Sequence, residues 1–250
     1  MATANPKTDE NSFIHPVPPM GSRRPFLDHL EELRKRLLRS SLWVALGTAA
    51  GWSQAPRILE AMIRPVGQVV FLSPAEPFMT QFKVAVLAGV ALSSPLLAWE
   101  VWGFLRPAFG AVRSGPVLAL SGASAALFLL GGWAGWRFFL PAALKVLLGF
   151  GSASMVPMLT VGHYAGFAGW LLVSCGLAFQ IPLAVWFVTR AGWVRPGALL
   201  RQWRAAVVVI LVAAAFLTPT PDIATQLLLA SVLAALYVLS VGIAYLGRKR

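Results

Sequence analysis

Acid is scarce in this sequence. Of 250 residues, nine are Asp or Glu against 21 Lys and Arg, and only 12% are charged. A soluble domain carries about 25%, so a water-soluble globule is excluded. With 58% hydrophobic residues and a mean hydropathy of +0.72, the chain reads as an integral membrane protein. Cysteine is nearly absent as well. Cys175 stands alone in an apolar run, so it forms no internal disulfide, supports no cysteine-ligated metal site and reads as packing. Histidine is thin and scattered: His15, His29 and His163 have no ligand spacing around them. No Ser/His pair, acidic pair within a span, GxSxG or P-loop appears. The expectation is a non-enzyme without cofactor or metal. Nor do the first ~35 residues hold an apolar core of signal-peptide type, so the tail is not expected to be cleaved. Residues 1–25 are expected to form a disordered cytoplasmic tail, and 26–250 a single membrane domain.

What the chain does have is long apolar runs. Roughly six meet the ~20-residue criterion for a span, near 37–54, 78–98, 116–140, 164–189, 204–217 and 223–246. The net charge of +12 invites a nucleic-acid partner, but the cations sort by loop. Lys7, Arg23, Arg24, Arg34, Lys35, Arg36, Arg39, Arg106, Arg113, Arg190, Arg195, Arg201, Arg204, Arg248, Lys249 and Arg250 fall on one side. Arg57, Arg64 and Lys145 fall on the other, with Lys83 and Arg137 near span ends. The positive-inside rule then puts both termini in the cytoplasm. The basic balance reports topology and contact with anionic lipid, and no nucleic acid is expected.

Phe26 to Leu37 (FLDHLEELRKRL) reads as an amphipathic helix leading into the first span. Pro25 suits its first position. Asp28, Glu31 and Glu32 come early and Arg34, Lys35, Arg36 and Arg39 late, which complements the helix dipole. Glu31–Lys35 and Glu32–Arg36 are i,i+4 pairs in the favourable order. Such a helix either sets topology or binds something cationic. Residues 57–66 read as a short surface helix on the outer side. Pro74 and Pro77 break the chain around Glu76, and Pro95 is expected to kink the second span. Trp99 and Trp102 flank Glu100 at interface depth. Gly131 and Gly135 permit close helix contact, read as packing within the subunit. Residues 140–150 read as an outer loop with a second surface helix. In the fourth span, Gln180 beside Pro182 is either internal glue or a docking point for a partner's transmembrane helix. The fifth span is short: residues 205–217 cover about 20 Å, and Asp222 in the following turn suits an N-cap.

Five stretches together resemble the TatC family, the receptor subunit of the twin-arginine protein translocase. They are HLEELRKRL at 29–37, SPAEPFMTQFK at 73–83, SSPLLAWEVWGFLRPAF at 93–109, GLAFQIPLAVWF at 176–187 and FLTPTPDIATQLLLA at 216–230. The resemblance implies an all-α, glove-like concave bundle of six transmembrane helices with cytoplasmic termini in the cell's inner membrane. It implies binding of the Arg-Arg signal peptides of folded precursors, recruitment of single-span TatA/TatB-type partners and further copies of the receptor, and transport driven by the proton-motive force. The competing class is a small secondary transporter or ion carrier, which calls for an internal repeat and mid-membrane ionisable residues, and neither is found.

Carried over by position, Glu32 matches the family's signal-binding carboxylate and Arg34 an arginine of the same helix. Gln180 matches a polar position of the fourth span, and Asp222 the acid of the last outer turn. Two positions depart from the pattern: Arg113 replaces a second signal-binding glutamate, and Val238 replaces a glutamate of the last span. Glu100 is expected to take the vacated role, with a tryptophan face offering a cation–π contact, unless it pairs with a neighbouring arginine instead. The candidate signal-binding residues are therefore Glu32, Arg34, Glu100 and His29. Partner docking is assigned to Gln180 and Pro182, and the outer-turn structure to Pro74, Glu76 and Asp222.

Overall fold

The computed structural model describes residues 24–105, 115–150, 158–218 and 222–246. Arg106, Arg113 and the tail before residue 24 lie outside them. Every element among the described residues is helical: α1 (Arg24–Gly51), a 3-10 turn (Trp52–Gln54), α2 (Ala55–Ile63), α3 (Glu76–Leu105), α4 (Gly115–Ala134), a π turn (Gly135–Phe139), α5 (Leu140–Gly149), α6 (Val161–Ala178), α7 (Ile181–Arg190), α8 (Pro196–Arg201), α9 (Trp203–Leu217) and α10 (Ile223–Leu246).

Four helical runs among the described residues are long and apolar enough to cross a membrane: Glu76–Leu105, Val117–Gly149, Val161–Arg190 and Ile223–Tyr245. With α9 and the apolar second half of α1 they make the six segments that hydropathy predicts. α1 is one 28-residue helix, so the charged stretch around Glu32 is a rigid extension of the first span. It packs along α3, which also packs on α4 and α6.

One difference from the sequence reading has a local cause. The chain does not leave the third span at residue 140. The helix runs on to Gly149 through the π turn. Leu140, Ala143 and Leu144 are buried, and a single π turn shifts the helical register, which keeps that apolar face on the bundle. Pro95 does not interrupt α3. Its missing N–H leaves the Ala91 carbonyl without its helical donor, and the Ser94 hydroxyl donates to that carbonyl at 2.8 Å.

Opposite the end that carries Glu32, the loops are tied together. Val70 N–H donates to the Leu159 carbonyl at 3.0 Å, and Val161 N–H to the Val70 carbonyl at 2.8 Å. The Glu76 carboxylate accepts from Leu72 N–H and Gly162 N–H, each at 2.8 Å. Pro74 sits in the turn that Glu76 N–H closes on the Ser73 carbonyl at 3.0 Å. Asp222 Oδ1 accepts from Thr225 N–H at 2.7 Å, as an N-cap does. Gly131 and Gly135 lie against Cys175 of α6, where an added methyl on Gly131 would come within 2.6 Å of the Cys175 carbonyl.

Candidate functional site

The charged end is built where α1 passes α3. Helical periodicity puts Glu32 and Arg36 one turn apart on one face of α1. α3 presents Glu100 and, three residues on, Gly103. Arg36 lies between them. Its Nη2 and Nε both donate to Oε1 of Glu32, at 2.7 and 2.9 Å. Its Nη1 donates to Oε2 of Glu100 at 3.1 Å and to the Glu100 main-chain carbonyl at 3.2 Å. Gly103 makes room for this, because a methyl there would overlap Arg36 Nη1.

Burial grades across the three. The Glu100 side chain is 8% exposed, that of Arg36 21% and that of Glu32 40%. Two carboxylates and one guanidinium leave one net negative charge, and Glu32 is the member that meets solvent. Among the described residues its Oε2 takes no hydrogen bond. This half-open carboxylate can accept a cation, and charge-assisted contacts of this type are about twice as strong as neutral ones.

The other expected signal-site residues surround this centre unevenly. His29 stacks on Phe104, ring centroids 4.3 Å apart. Arg34 is exposed. Glu31 pairs with Lys35 at 2.7 Å on the outer face, and the Lys35 hydrogen bond and charge hold its carboxyl below the ordinary range. Of the two roles left open for Glu100, ligand contact or an arginine pair, the structure shows the pair: its carboxylate lies beneath Arg36. Trp102 lies in an apolar cluster. It is buried with Ala98, Val117 and Phe187 and meets Phe187 edge-on at 5.5 Å. Trp99 is exposed. Arg36 and Gly103 escaped the sequence reading as site residues. The i,i+4 spacing of Glu32 and Arg36 was visible, but the cross-helix contact to Glu100 spans 64 positions.

A second polar contact lies within the bundle. The helix breaks after Ala178, and Pro182 falls in the first turn of α7, where its missing N–H is harmless. At that break Ser124 of α4 donates its hydroxyl to Gln180 Oε1 at 2.5 Å, and Gln180 Nε2 donates to the Ser124 carbonyl at 3.1 Å. Both ends of the amide are thus held. The pair borders an apolar cavity of about 450 Å³ that Ser94, Phe128 and Phe187 also line.

The profile of the Sec-independent protein translocase protein (TatC) family matches residues 28–231. The TatC of Koribacter versatilis is 34% identical over 231 residues, covering 88% of this chain and 85% of its own length. The TatC of Carboxydothermus hydrogenoformans is 32% identical over 221 residues, 87% and 91% of the two chains. A crystal structure of the twin-arginine translocase receptor TatC in the detergent DDM superposes with a TM-score of 0.77 at 30% identity, covering 86% of this chain and 99% of that one. A family match of this extent, the six-segment helical fold and the crystallographic likeness together mean that this chain belongs to the TatC family, as a multi-pass, non-enzymatic membrane component of the Sec-independent protein translocase.

Proposed function

We propose that the charged end of the α1–α3 pair binds the Arg-Arg motif of twin-arginine signal peptides, and that Glu32 supplies the contacting carboxylate. One observation carries this reading: Glu32 is half-exposed, its Oε2 takes no hydrogen bond among the described residues, and its cluster keeps a net negative charge beside otherwise basic sequence. A guanidinium satisfies such a carboxylate better than an ammonium does, because it is planar and can donate from two nitrogens. Arg34 and the stacked His29–Phe104 pair flank the motif. Glu100 contributes from beneath, through Arg36.

The charge-assisted contact to Glu32 supplies about 1.5–3 kcal/mol, and micromolar affinity needs about 8. The remainder comes from the signal's apolar segment lying against membrane-facing leucines. Residues 26–250 act as one domain in the cell's inner membrane, with both termini cytoplasmic, an orientation that rests on the loop-charge asymmetry. The complex also holds further copies of this chain and single-span TatA/TatB-type partners, which dock near Gln180 and Pro182, and the proton-motive force drives transport. The test is export of a twin-arginine reporter in a strain deleted for its own TatC. Export restored by this chain and lost with Glu32→Gln supports the reading, whereas export indifferent to Glu32 overturns it.

A further inference from the structure

Arg36 donates four hydrogen bonds at the charged end, two to Glu32 and two to Glu100. Its guanidinium is not simply a competitor for the carboxylate. It grips Glu32 by Oε1 alone, with two nitrogens, and leaves Oε2 and two-fifths of the side chain's surface open. Glu100 fixes the far side of the guanidinium through a carboxylate oxygen and a main-chain carbonyl, and Gly103 supplies the floor. A glutamate on an exposed helix face otherwise samples several rotamers, and each must be given up when a ligand binds. Here that freedom is already removed.

We propose that Arg36 is a positioning residue for signal recognition. Seated on Glu100 over Gly103, it holds the Glu32 carboxylate in one orientation and presents Oε2 to the incoming guanidinium. Glu100 is the counterion that keeps Arg36 in place. The planar fork is needed because different nitrogens serve the two carboxylates; a lysine ammonium is a single point and loses the two-nitrogen grip on Oε1. This inference rests on Glu32 being the signal-binding carboxylate.

The test is a double-mutant cycle on the full chain in vesicles. Its readout is the dissociation constant of a fluorescent synthetic Arg-Arg signal peptide, with a Lys-Lys peptide as control. Arg36→Lys is expected to weaken Arg-Arg binding about tenfold, the middle of the range for coupled neighbours. In the Glu32→Gln background it is expected to change nothing further, because there is no carboxylate left to orient. Glu100→Gln is expected to behave in the same way. An equal loss in both backgrounds would make Arg36 a packing residue and overturn the proposal. Tighter Arg-Arg binding by Arg36→Lys would make Arg36 a competitor and overturn it equally. If Arg36→Lys does not accumulate in the membrane, Gly103→Ala takes its place in the cycle with the same two outcomes, since it unseats Arg36 without altering charge. Wild-type affinity in Glu32→Gln alone would instead remove the reading beneath the proposal, so the two failures are told apart.

Discussion

Gly47 of α1 and Gly89 of α3 meet backbone to backbone. A methyl on Gly47 would lie 2.6 Å from the Gly89 carbonyl oxygen, and one on Gly89 would lie 2.5 Å from Thr48 N. Close approach through small residues is how membrane helices gain packing and dipolar contact without a hydrophobic drive. Arg36 lies 11 residues before Gly47 on the same helix, about 16 Å along the seam, so this contact also sets the spacing at which Arg36 reaches Glu100. Gly89→Ala is expected to force α1 outward at about 1–3 kcal/mol. The apparent melting temperature in detergent should fall by several degrees, and signal-peptide binding should weaken with it. Gly122→Ala is the control, since nothing lies within 4 Å of a methyl there. An unchanged melting temperature for Gly89→Ala would mean that the seam adjusts freely.

The Gln180 amide has both its ends on Ser124, and these two bonds use one of its two N–H donors and one of its two carbonyl lone pairs. The proposed docking role and a purely internal role differ in what Ser124→Ala does. If partners dock on Gln180, Ser124→Ala frees the Oε1 acceptor of the amide and leaves partner crosslinking intact or stronger, while Gln180→Leu weakens crosslinking at normal protein level. If the amide only ties α4 to the α6–α7 break, Ser124→Ala loses one hydrogen bond and Gln180→Leu two, at roughly 0.6 kcal/mol each, and crosslinking per molecule stays constant.

Glu76 closes the far end by accepting from Leu72 on one side of its turn and from Gly162 across the bundle. Glu76→Gln replaces two charge-assisted contacts with at most one good acceptor. The loops around Val70 and Thr160, joined by a two-bond bridge, are expected to open more often. Limited proteolysis from that face of sealed vesicles checks this. Faster cleavage near residues 67–75 is the expected result, and a wild-type cleavage rate would show that the bridge alone holds the loops.

Much of the fold was legible because the bilayer constrains it: hydropathy, proline and loop charge locate helices wherever backbone groups must be paired internally. α2 follows from a short mixed segment after the first span, and α9 from a run too short to cross. The sequence reading ends the third span at 140 and puts a surface helix over 140–150, whereas the helix is continuous to Gly149: Pro141 sits in the first turn of α5, where it is tolerated, and the π turn carries the helix past it. The candidate site was half legible. Glu32 stands in a motif that the family resemblance marks, and its partner one turn away follows from helical spacing. The state of Glu100 did not follow. Whether a carboxylate at the end of a span faces solvent or a neighbouring arginine depends on the rotation of two helices about each other. Here that rotation is fixed by Gly47, Gly89 and Gly103, none of which looks like a site residue.

The short α9 is tethered at its end. Trp170 Nε1 and Ser174 Oγ of α6 both donate to the Leu217 carbonyl, at 2.9 and 2.7 Å. They satisfy one of the carbonyls that every helix end leaves without a partner. Its 15 residues give about 22 Å, less than the ~30 Å hydrocarbon core, so the bilayer must thin around the α9–α10 turn or the turn must stay within it. Inserting four leucines before Thr218 adds about 6 Å. The helix then reaches about 28 Å, close to the core thickness, but its new end lies beyond the reach of Trp170 and Ser174, and most of the thinning is relieved. If local thinning serves transport, export of a twin-arginine reporter should fall severalfold while the charged end, on the opposite side of the bundle, still binds the signal peptide at wild-type affinity. Trp170→Phe separates the two effects, since it removes one tether without changing length. Reduced export in the insertion variant with normal export in Trp170→Phe assigns the loss to span length. Normal export by a stably inserted four-leucine variant would remove any role for the short hairpin.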